Sequence, residues 1–436
     1  MATAATRRAR GKGRTAGAGK SQFWRTLGPG LITGAADDDP SGIATYAQAG
    51  AQFAFALGWT LIIAYPLMVA VQAICARIGR TTGTGIAGNL RMYYPAWILH
   101  ATVALLFCAN VLNIGADLGA MAQSARLLVP IPTWAGLILF AGISAVGPML
   151  LEHTRYVAVL KWLTFSLLAY FGTLITVPIP WGSLLRNLAW PQLSTSRDFW
   201  LTVVAVLGTT ISPYLFFWQA AQEVEDTKAH PVRRPLLQAP RQAASALARI
   251  RADTLVGMAL SNLVALAILI TSAVTLHSRG VSDIGTAAQA AAALKPVAGT
   301  QAFLLFAVGI IGTGLLSVPV LAGSAAYALG ETMRWNVGLS RTPVQAKAFY
   351  STIVLATLLG AVLNVMRINP MKALVWAAVL NGIVAVPVLI MVMLLGARAD
   401  VMGKFRISTR LRVWGWIATA VMTVASAAFL YSTARS

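Results

Sequence analysis

The chain has 436 residues, of which 57% are hydrophobic and only 11% are charged. A soluble protein has about a quarter of its residues charged, because its surface is in contact with water. The composition therefore excludes an ordinary soluble domain. The net charge of +21 could suggest a nucleic-acid-binding protein. Basic residues gathered in cytoplasmic loops of a membrane protein explain it better, so no nucleic-acid partner is expected.

A basic tail without acidic residues, residues 1–25, opens the chain, and we interpret it as a disordered cytoplasmic extension. Eleven apolar segments follow, and they predict a single transmembrane domain over residues 26–436. Their approximate spans are 27–52, 53–78, 96–128, 133–151, 155–178, 198–224, 252–276, 301–331, 347–366, 371–397 and 411–432. The predicted fold class is thus an all-α polytopic membrane protein with about 11 transmembrane helices.

The basic residues alternate between the two sides of this map. With the N-terminus inside, 26 of the 34 Lys and Arg residues fall in cytoplasmic segments and 8 fall on the outer side. Because positive charge collects in cytoplasmic loops, the alternation predicts a cytoplasmic N-terminus and a C-terminus outside. We expect a multi-pass protein of the cell membrane, as in a bacterial inner membrane.

The first and sixth segments each carry a proline in the middle of a run of small and polar residues. Proline removes a backbone donor and disfavours helix at the preceding residue, so breaks are predicted near Asp39-Pro40 and Ser212-Pro213. Segments one and six lie five apart, which is the pattern of an inverted five-plus-five repeat with a binding site at the membrane midplane. We place repeat one at about 26–178, repeat two at about 198–397, and an extra helix at about 411–432.

Three consecutive carboxylates, Asp37, Asp38 and Asp39, lie inside the first segment, although the chain has only 13 acidic residues. One charge at the membrane centre costs at least ~2.5 kcal/mol, so these residues should face a water-filled cavity, a cation or basic partners. We expect at least one to bind a transported cation. Asp39, beside the break, is the first candidate, Asp38 is the second, and Asp37 would serve protons or the vestibule. The alternative is that they merely hydrate a cavity mouth.

Hydroxyl groups flank the second break at Thr209, Thr210, Ser212 and Tyr214. Hydroxyls and freed backbone carbonyls are hard oxygen ligands that suit Mg²⁺, Mn²⁺ or Na⁺-like ions. For each hydroxyl, a hydrogen bond back to its own helix is an equally good interpretation. The carbonyl of Thr209 is therefore a better candidate ligand than its side chain.

Three further polar residues belong to the predicted ion or proton path. Asp117, in the third segment, could relay protons or serve as a fixed partner for a cation or a helix N-terminus. Asn381, in the tenth segment, is a weaker candidate, because such residues more often hold membrane helices together. Glu223 ends the sixth segment beside a basic loop. A solvated cluster of ion pairs is the simpler interpretation there, and a gate or ion-exit vestibule is the alternative.

At its first and sixth segments the chain resembles the NRAMP family of divalent-metal transporters. The first-helix motif of that family, Asp-Pro-Gly-Asn, reads Asp39-Pro40-Ser41-Gly42 here, and its sixth-helix motif, Met-Pro-His, reads Ser212-Pro213-Tyr214. The resemblance covers about residues 25–397. It implies a LeuT-type fold with eleven or twelve helices and, often, proton coupling.

The resemblance implies metal-binding roles at four positions. Asp39 matches the metal-binding Asp, and the carbonyl of Thr209 matches an Ala carbonyl. Ser212 replaces the metal-binding Met, and Gly42 replaces the Asn. Loss of the soft thioether makes the site harder, which favours Mg²⁺ or Mn²⁺, and the small Gly42 is expected to leave room for retained waters.

The proton-linked positions of the family are only partly kept. Tyr214 and Gln219 replace two histidines linked to proton movement. Asp117 aligns with one acidic residue of the third-helix proton path, and the other acid of that path aligns with Ile114. The resemblance therefore leaves proton coupling open.

The expected function is secondary active transport of a divalent metal cation by alternating access, with no cofactor, in a monomer surrounded by lipid. The alternative is a transporter of another small solute on the same LeuT-type fold. An anionic solute is disfavoured because no Arg or Lys lies near either break. A membrane enzyme is less favoured, because no His cluster, nucleophile elbow or phosphate loop accompanies the carboxylates. A channel is less favoured, because two breaks at repeat-equivalent positions favour alternating access.

Overall fold

The computed structural model describes residues 29–150, 168–366 and 368–435, and every regular element in these ranges is helical. The predicted tail at 1–25 and the start of the fifth segment at 155–167 lie outside the described residues. The principal helices are α1 (Pro29–Asp37), α2 (Pro40–Phe53), α3 (Gly58–Thr82), α4 (Ile86–Tyr93), α5 (Ala96–Ala125), α6 (Thr133–Leu150), α7 (Leu168–Thr176), α8 (Trp181–Ala189), α9 (Arg197–Thr210), α10 (Pro213–Ala229), α11 (Ala243–Thr275), α12 (Ala302–Met333), α13 (Lys347–Leu363), α14 (Pro370–Ala397) and α15 (Thr409–Arg435).

Nine helical segments of the described chain are long and apolar enough to cross a membrane. They are α3, α5, α6, the pair α9–α10, and each of α11 to α15, and they coincide with nine of the predicted segments. The first predicted segment forms α1 and α2, of 9 and 14 residues, and each half alone is too short to span a bilayer. Helix α7 is the end of the predicted fifth segment. The limits of the two repeats and the orientation of the termini stay predictions.

Both predicted helix breaks are present. Helix α1 ends at Asp37 and α2 begins at Pro40, and α9 ends at Thr210 before α10 begins at Pro213. Each proline is the first residue of its helix, where its missing N–H costs no hydrogen bond and its fixed φ suits the helix. The residue before each proline is extended, as the proline ring requires. Both breaks therefore follow from the local sequence.

The four half-helices are packed closely by small residues. A Cβ added to Gly34 would lie 2.3 Å from the carbonyl oxygen of Gly257, so α1 touches the backbone of α11. A Cβ added to Gly208 would lie 2.2 Å from the carbonyl oxygen of Ala378, so α9 touches α14 in the same way. Such small-residue contacts are typical of membrane helices, in which van der Waals packing drives association. They bring the two breaks together between α5, α11 and α14.

Helix α15 lies outside the predicted repeats but is not detached from them. It packs against α3, α9 and α14. Helix α11 also packs against α3, and it packs against α1 and α2 as well. Helix α3 therefore connects the extra helix to the helix that supports the first break.

Candidate metal-ion site

Asp39 is the residue at which the broken helices meet. It is buried, and it caps α2 through Oδ1, which accepts a hydrogen bond of 2.7 Å from the N–H of Gly42. Its Oδ2 lies 3.4 Å from Nδ2 of Asn113 and 3.3 Å from the hydroxyl of Tyr214. No basic side chain forms an ion pair with Asp39 among the described residues. Neutral donors thus orient the carboxylate and leave its charge available to a cation.

Asp37 and Asp38 contact a different helix from Asp39. The hydroxyl of Ser261, on α11, donates to Oδ2 of Asp37 at 2.6 Å and lies 3.2 Å from Oδ1 of Asp38. In the described ranges, no group of three His, Cys, Asp or Glu side chains is arranged to hold a metal ion. The three adjacent carboxylates therefore do not form one cluster of metal ligands, and the ranking of Asp39 before Asp38 as the cation-binding residue stays a prediction.

Two hydroxyls of the second break bond back to their own helix. Oγ of Ser212 lies 2.7 Å from the carbonyl oxygen of Gly208 and 2.8 Å from that of Thr209, and Oγ1 of Thr210 lies 2.9 Å from that of Val206. The structure thus chooses the back-bonded alternative for Ser212 and Thr210. Ser212 also touches the carbonyl of Thr209, the candidate ligand at this break.

Tyr214 behaves differently, because its hydroxyl reaches across to the first break. It donates to the carbonyl oxygen of Ala36 at 3.0 Å in addition to its contact with Asp39. Ala36 lies in the last turn of α1, and Asp39 caps α2. One side chain of α10 therefore connects both halves of the first helix.

The space beside Gly42 is filled. A Cβ added to Gly42 would lie 3.2 Å from Oγ1 of Thr209, 3.3 Å from Cε2 of Tyr46 and 3.4 Å from the carbonyl oxygen of Asp37. The expectation of room for retained waters there is wrong, because the Thr209 side chain and the Tyr46 ring occupy it. The same contacts show that the two breaks face each other directly.

Asn113 is a site residue that the sequence interpretation missed. It lies four residues before Asp117, so both side chains project from one face of α5, and this spacing could have revealed it. Oδ2 of Asp117 accepts a hydrogen bond of 2.9 Å from the hydroxyl of Ser317 on α12. The side-chain oxygen of Asn113 and the second carboxylate oxygen of Asp117, Oδ1 in both, are buried without a hydrogen-bond partner in the described part of the chain. Ser261 and Ser317 gave no signal, because single serines are common in membrane helices.

Gln219 and Asn381 are both buried, in different surroundings. Oε1 of Gln219 accepts a short hydrogen bond from the hydroxyl of Thr33, which joins α10 to α1. Asn381 lies on α14, and its Oδ1 has no hydrogen-bond partner within the described ranges. Gln219 is thus part of the α1–α10 contact, whereas Asn381 is not among the hydrogen-bond partners of Asp39 in the described residues.

Glu223 is not part of a solvated cluster, so that simpler interpretation is wrong for this residue. Its side chain is fully buried, and its Oε2 lies 2.5 Å from Nη2 of Arg249. Asp226, one turn further along α10, pairs with Arg233 and is only partly exposed. A buried ion pair is therefore located near the end of the sixth helix, and the alternative of a gate or an ion-exit vestibule stays a prediction.

Comparison with known proteins assigns the family. A family model described as "Natural resistance-associated macrophage protein-like" (Nramp) matches residues 30–432. The chain belongs to the Nramp family. This Nramp protein is 26% identical over 407 residues to a protein of Burkholderia ambifaria named "Divalent metal cation transporter MntH", covering 91% of the chain and 86% of that relative. The protein of the same name from Aeromonas hydrophila is 26% identical over 395 residues, covering 87% of this chain and 89% of that relative.

The Nramp protein also matches solved structures. A crystal structure of the Eremococcus coleocola manganese transporter superposes with a TM-score of 0.73 at 17% sequence identity, covering 93% of this chain and 86% of that one. At this level of identity the match establishes the fold. The predicted class, an all-α polytopic membrane protein of the LeuT type with broken first and sixth helices, is confirmed.

Proposed function

We propose that this Nramp protein is a secondary transporter that carries a divalent metal cation across the membrane by alternating access. The observation that supports it is the buried carboxylate of Asp39, which lies at a helix break and is held only by neutral donors. The names of the relatives agree, since they are divalent metal cation transporters and a manganese transporter. They also favour transport over catalysis.

The proposed metal ligands are all oxygen atoms. Asp39 supplies the charge, and the carbonyls of Ala36 and Thr209 and the hydroxyl of Tyr214 lie beside it on the two broken helices. Oδ1 of Asn113 can complete the set. Such ligands favour a hard ion, Mg²⁺ or Mn²⁺, because Ser212 replaces the thioether of the family motif.

Retained waters of the ion would lie on the α5 side of the site. Mg²⁺ usually keeps several waters when it binds a protein. Since the space beside Gly42 is filled, the unpartnered oxygens of Asn113 and Asp117 offer the polar surface for such waters. Asp117 is also the candidate proton carrier, because it is a buried carboxylate on the same face as Asn113.

The direct test is metal uptake by the full chain in proteoliposomes. Asp39→Asn keeps the shape of the side chain and removes its charge. Changing only a group that hydrogen-bonds to a metal ligand lowers metal affinity or activity about 10–100-fold, so loss of the ligand charge should slow Mn²⁺ and Mg²⁺ uptake at least about tenfold. Asp283→Asn is the matched control, because Asp283 is an exposed acid whose Oδ2 lies 3.6 Å from Nζ of Lys372. Unchanged uptake in Asp39→Asn would reject the proposal.

A further inference from the structure

A cavity that does not include Asp39 is lined by three arginines, and we call it the arginine cleft. Its volume is about 600 Å³, and it opens between α11 and α15 with α3 as its floor. Arg77 of α3, Arg251 of α11 and Arg410 of α15 all line it. Each of the three helices therefore contributes one positive charge to the same cavity.

These three charges have no acidic counterpart. No Asp or Glu lines the cleft, and none of the three arginines forms an ion pair within the described chain. Nε of Arg77 is buried without a hydrogen-bond partner among the described residues. Like charges that share a cavity repel each other, and a partly buried guanidinium without a partner is costly. An anion in the cleft would remove both costs, and guanidinium groups suit phosphate oxygens.

The remainder of the cleft is apolar, which a free anion would not require. Val69, Leu247, Leu255 and Leu411 line its walls. Trp414, at its rim, is 43% exposed, as expected of an aromatic anchor at a membrane interface. The combination of a basic end and an apolar wall suits a molecule with a charged head and a hydrocarbon chain.

The basic end lies where one leaflet of the membrane would place its headgroups. Arg77 is in the last two turns of α3, Arg251 is near the start of α11, and Arg410 is in the first turn of α15. The distribution of basic residues predicts that these ends are cytoplasmic. Anionic lipids of the cytoplasmic leaflet are recognised by basic pockets between transmembrane helices on that side.

We propose that the arginine cleft binds an anionic phospholipid of the cytoplasmic leaflet. The phosphate lies among Arg77, Arg251 and Arg410, and an acyl chain lies along α3 beside Val69 and Leu411. The lipid would thereby fill the gap between α15, the extra helix, and α11, the helix that carries Ser261 at the first break.

The test is native mass spectrometry of the delipidated full chain, titrated with phosphatidylglycerol or with phosphatidylcholine of the same acyl chains. The cleft variant combines Arg77→Gln, Arg251→Gln and Arg410→Gln. The control variant combines Arg241→Gln, Arg341→Gln and Arg412→Gln, which removes the same charge from exposed positions outside the cleft. We expect tight binding of one phosphatidylglycerol, weakened at least about tenfold in the cleft variant and unchanged in the control.

Three results would overturn the proposal. The first is equal phosphatidylglycerol binding by the cleft and control variants, and the second is equal binding of phosphatidylcholine. The third is displacement of the lipid by millimolar inorganic phosphate, which would mean a site for a free anion. The single variant Arg410→Gln tests the site even if the triple variant misfolds, because Arg410 is exposed and its replacement should not disturb folding. We expect it to weaken phosphatidylglycerol binding about threefold or more.

Discussion

The hydroxyl of Tyr214 lies 3.3 Å from Oδ2 of Asp39, so the second broken helix directly contacts the cap of the first. Because the same hydroxyl also contacts the carbonyl oxygen of Ala36, a residue of the second broken helix connects the two halves of the first. The family has a histidine at this position. A neutral phenol supplies a hydrogen bond there but no proton-carrying imidazole.

Tyr214→Phe removes both hydrogen bonds with little change of shape. A buried hydrogen bond contributes about 1 kcal/mol, so we expect Mn²⁺ affinity to fall about fivefold. Isothermal titration of the purified protein measures this. Tyr350→Phe serves as the control, because its hydroxyl contacts the Arg341 carbonyl at 2.9 Å, away from the site. Equal affinities in the two variants would exclude Tyr214 from the metal site.

Asn113→Ala is expected to weaken metal binding, because it removes a donor to Asp39 and an unpartnered buried oxygen. The predicted loss is about tenfold, measured as the Kd for Mn²⁺. Asn110 provides a matched control on the same helix, since its amide bonds to the Leu321 carbonyl and to Ser324 instead. Asn110→Ala should lower the Tm and leave the Kd within about twofold. A weaker Mn²⁺ affinity in Asn110→Ala than in Asn113→Ala would contradict the placement of Asn113 in the metal site.

Ser212→Met restores the thioether of the family motif. A soft sulfur ligand favours softer ions, so we expect uptake of Cd²⁺ relative to Mg²⁺ to rise about tenfold or more. Competitive uptake in proteoliposomes measures the ratio. Ser212→Leu is similar in size but lacks sulfur, and it separates ligand chemistry from bulk. If both variants change the ratio equally, position 212 does not contribute to metal selectivity.

Arg249→Met leaves the buried carboxylate of Glu223 without its ionic partner. Breaking a buried pair in this way costs about 3–5 kcal/mol, so the Tm should fall markedly. Adding Glu223→Gln to the same chain should restore much of the loss, because the unpaired charge is then removed. Thermal unfolding followed by tryptophan fluorescence checks both variants. A double variant no more stable than Arg249→Met would show that the pair is not coupled.

The sequence was sufficient to predict the elements but not their contacts. Two X-Pro sites located the breaks, because proline acts on its own backbone and on the residue before it. In contrast, the direction of Asp37 and Asp38 towards Ser261 depends on how α1 rotates against α11, which their glycine contact sets. The sequence of one helix carries no information on which residue of a distant helix it will meet.

The filled space beside Gly42 likewise depends on a residue that is distant in the sequence. A glycine indicates that a side chain is missing, but not what replaces it. Here the side chain of Thr209, about 170 positions away in the chain, lies against it. The back-bonded hydroxyl of Ser212 was equally undecidable, because the two alternatives differ only in one side-chain rotamer.

Asp37 and Asp38 contact Ser261 rather than the partners of Asp39, and this difference has an electrical consequence. A divalent ion bound by the carboxylate of Asp39 alone gives a metal-loaded site with one net positive charge. Three carboxylates on the same ion would have given that site one net negative charge. A positive centre is driven inwards by an inside-negative membrane potential, by about 2.3 kcal/mol per charge for each 100 mV. Mn²⁺ uptake should therefore accelerate when a potassium gradient with valinomycin makes the vesicle interior negative. A rate independent of voltage would contradict a net positive charge on the metal-loaded site.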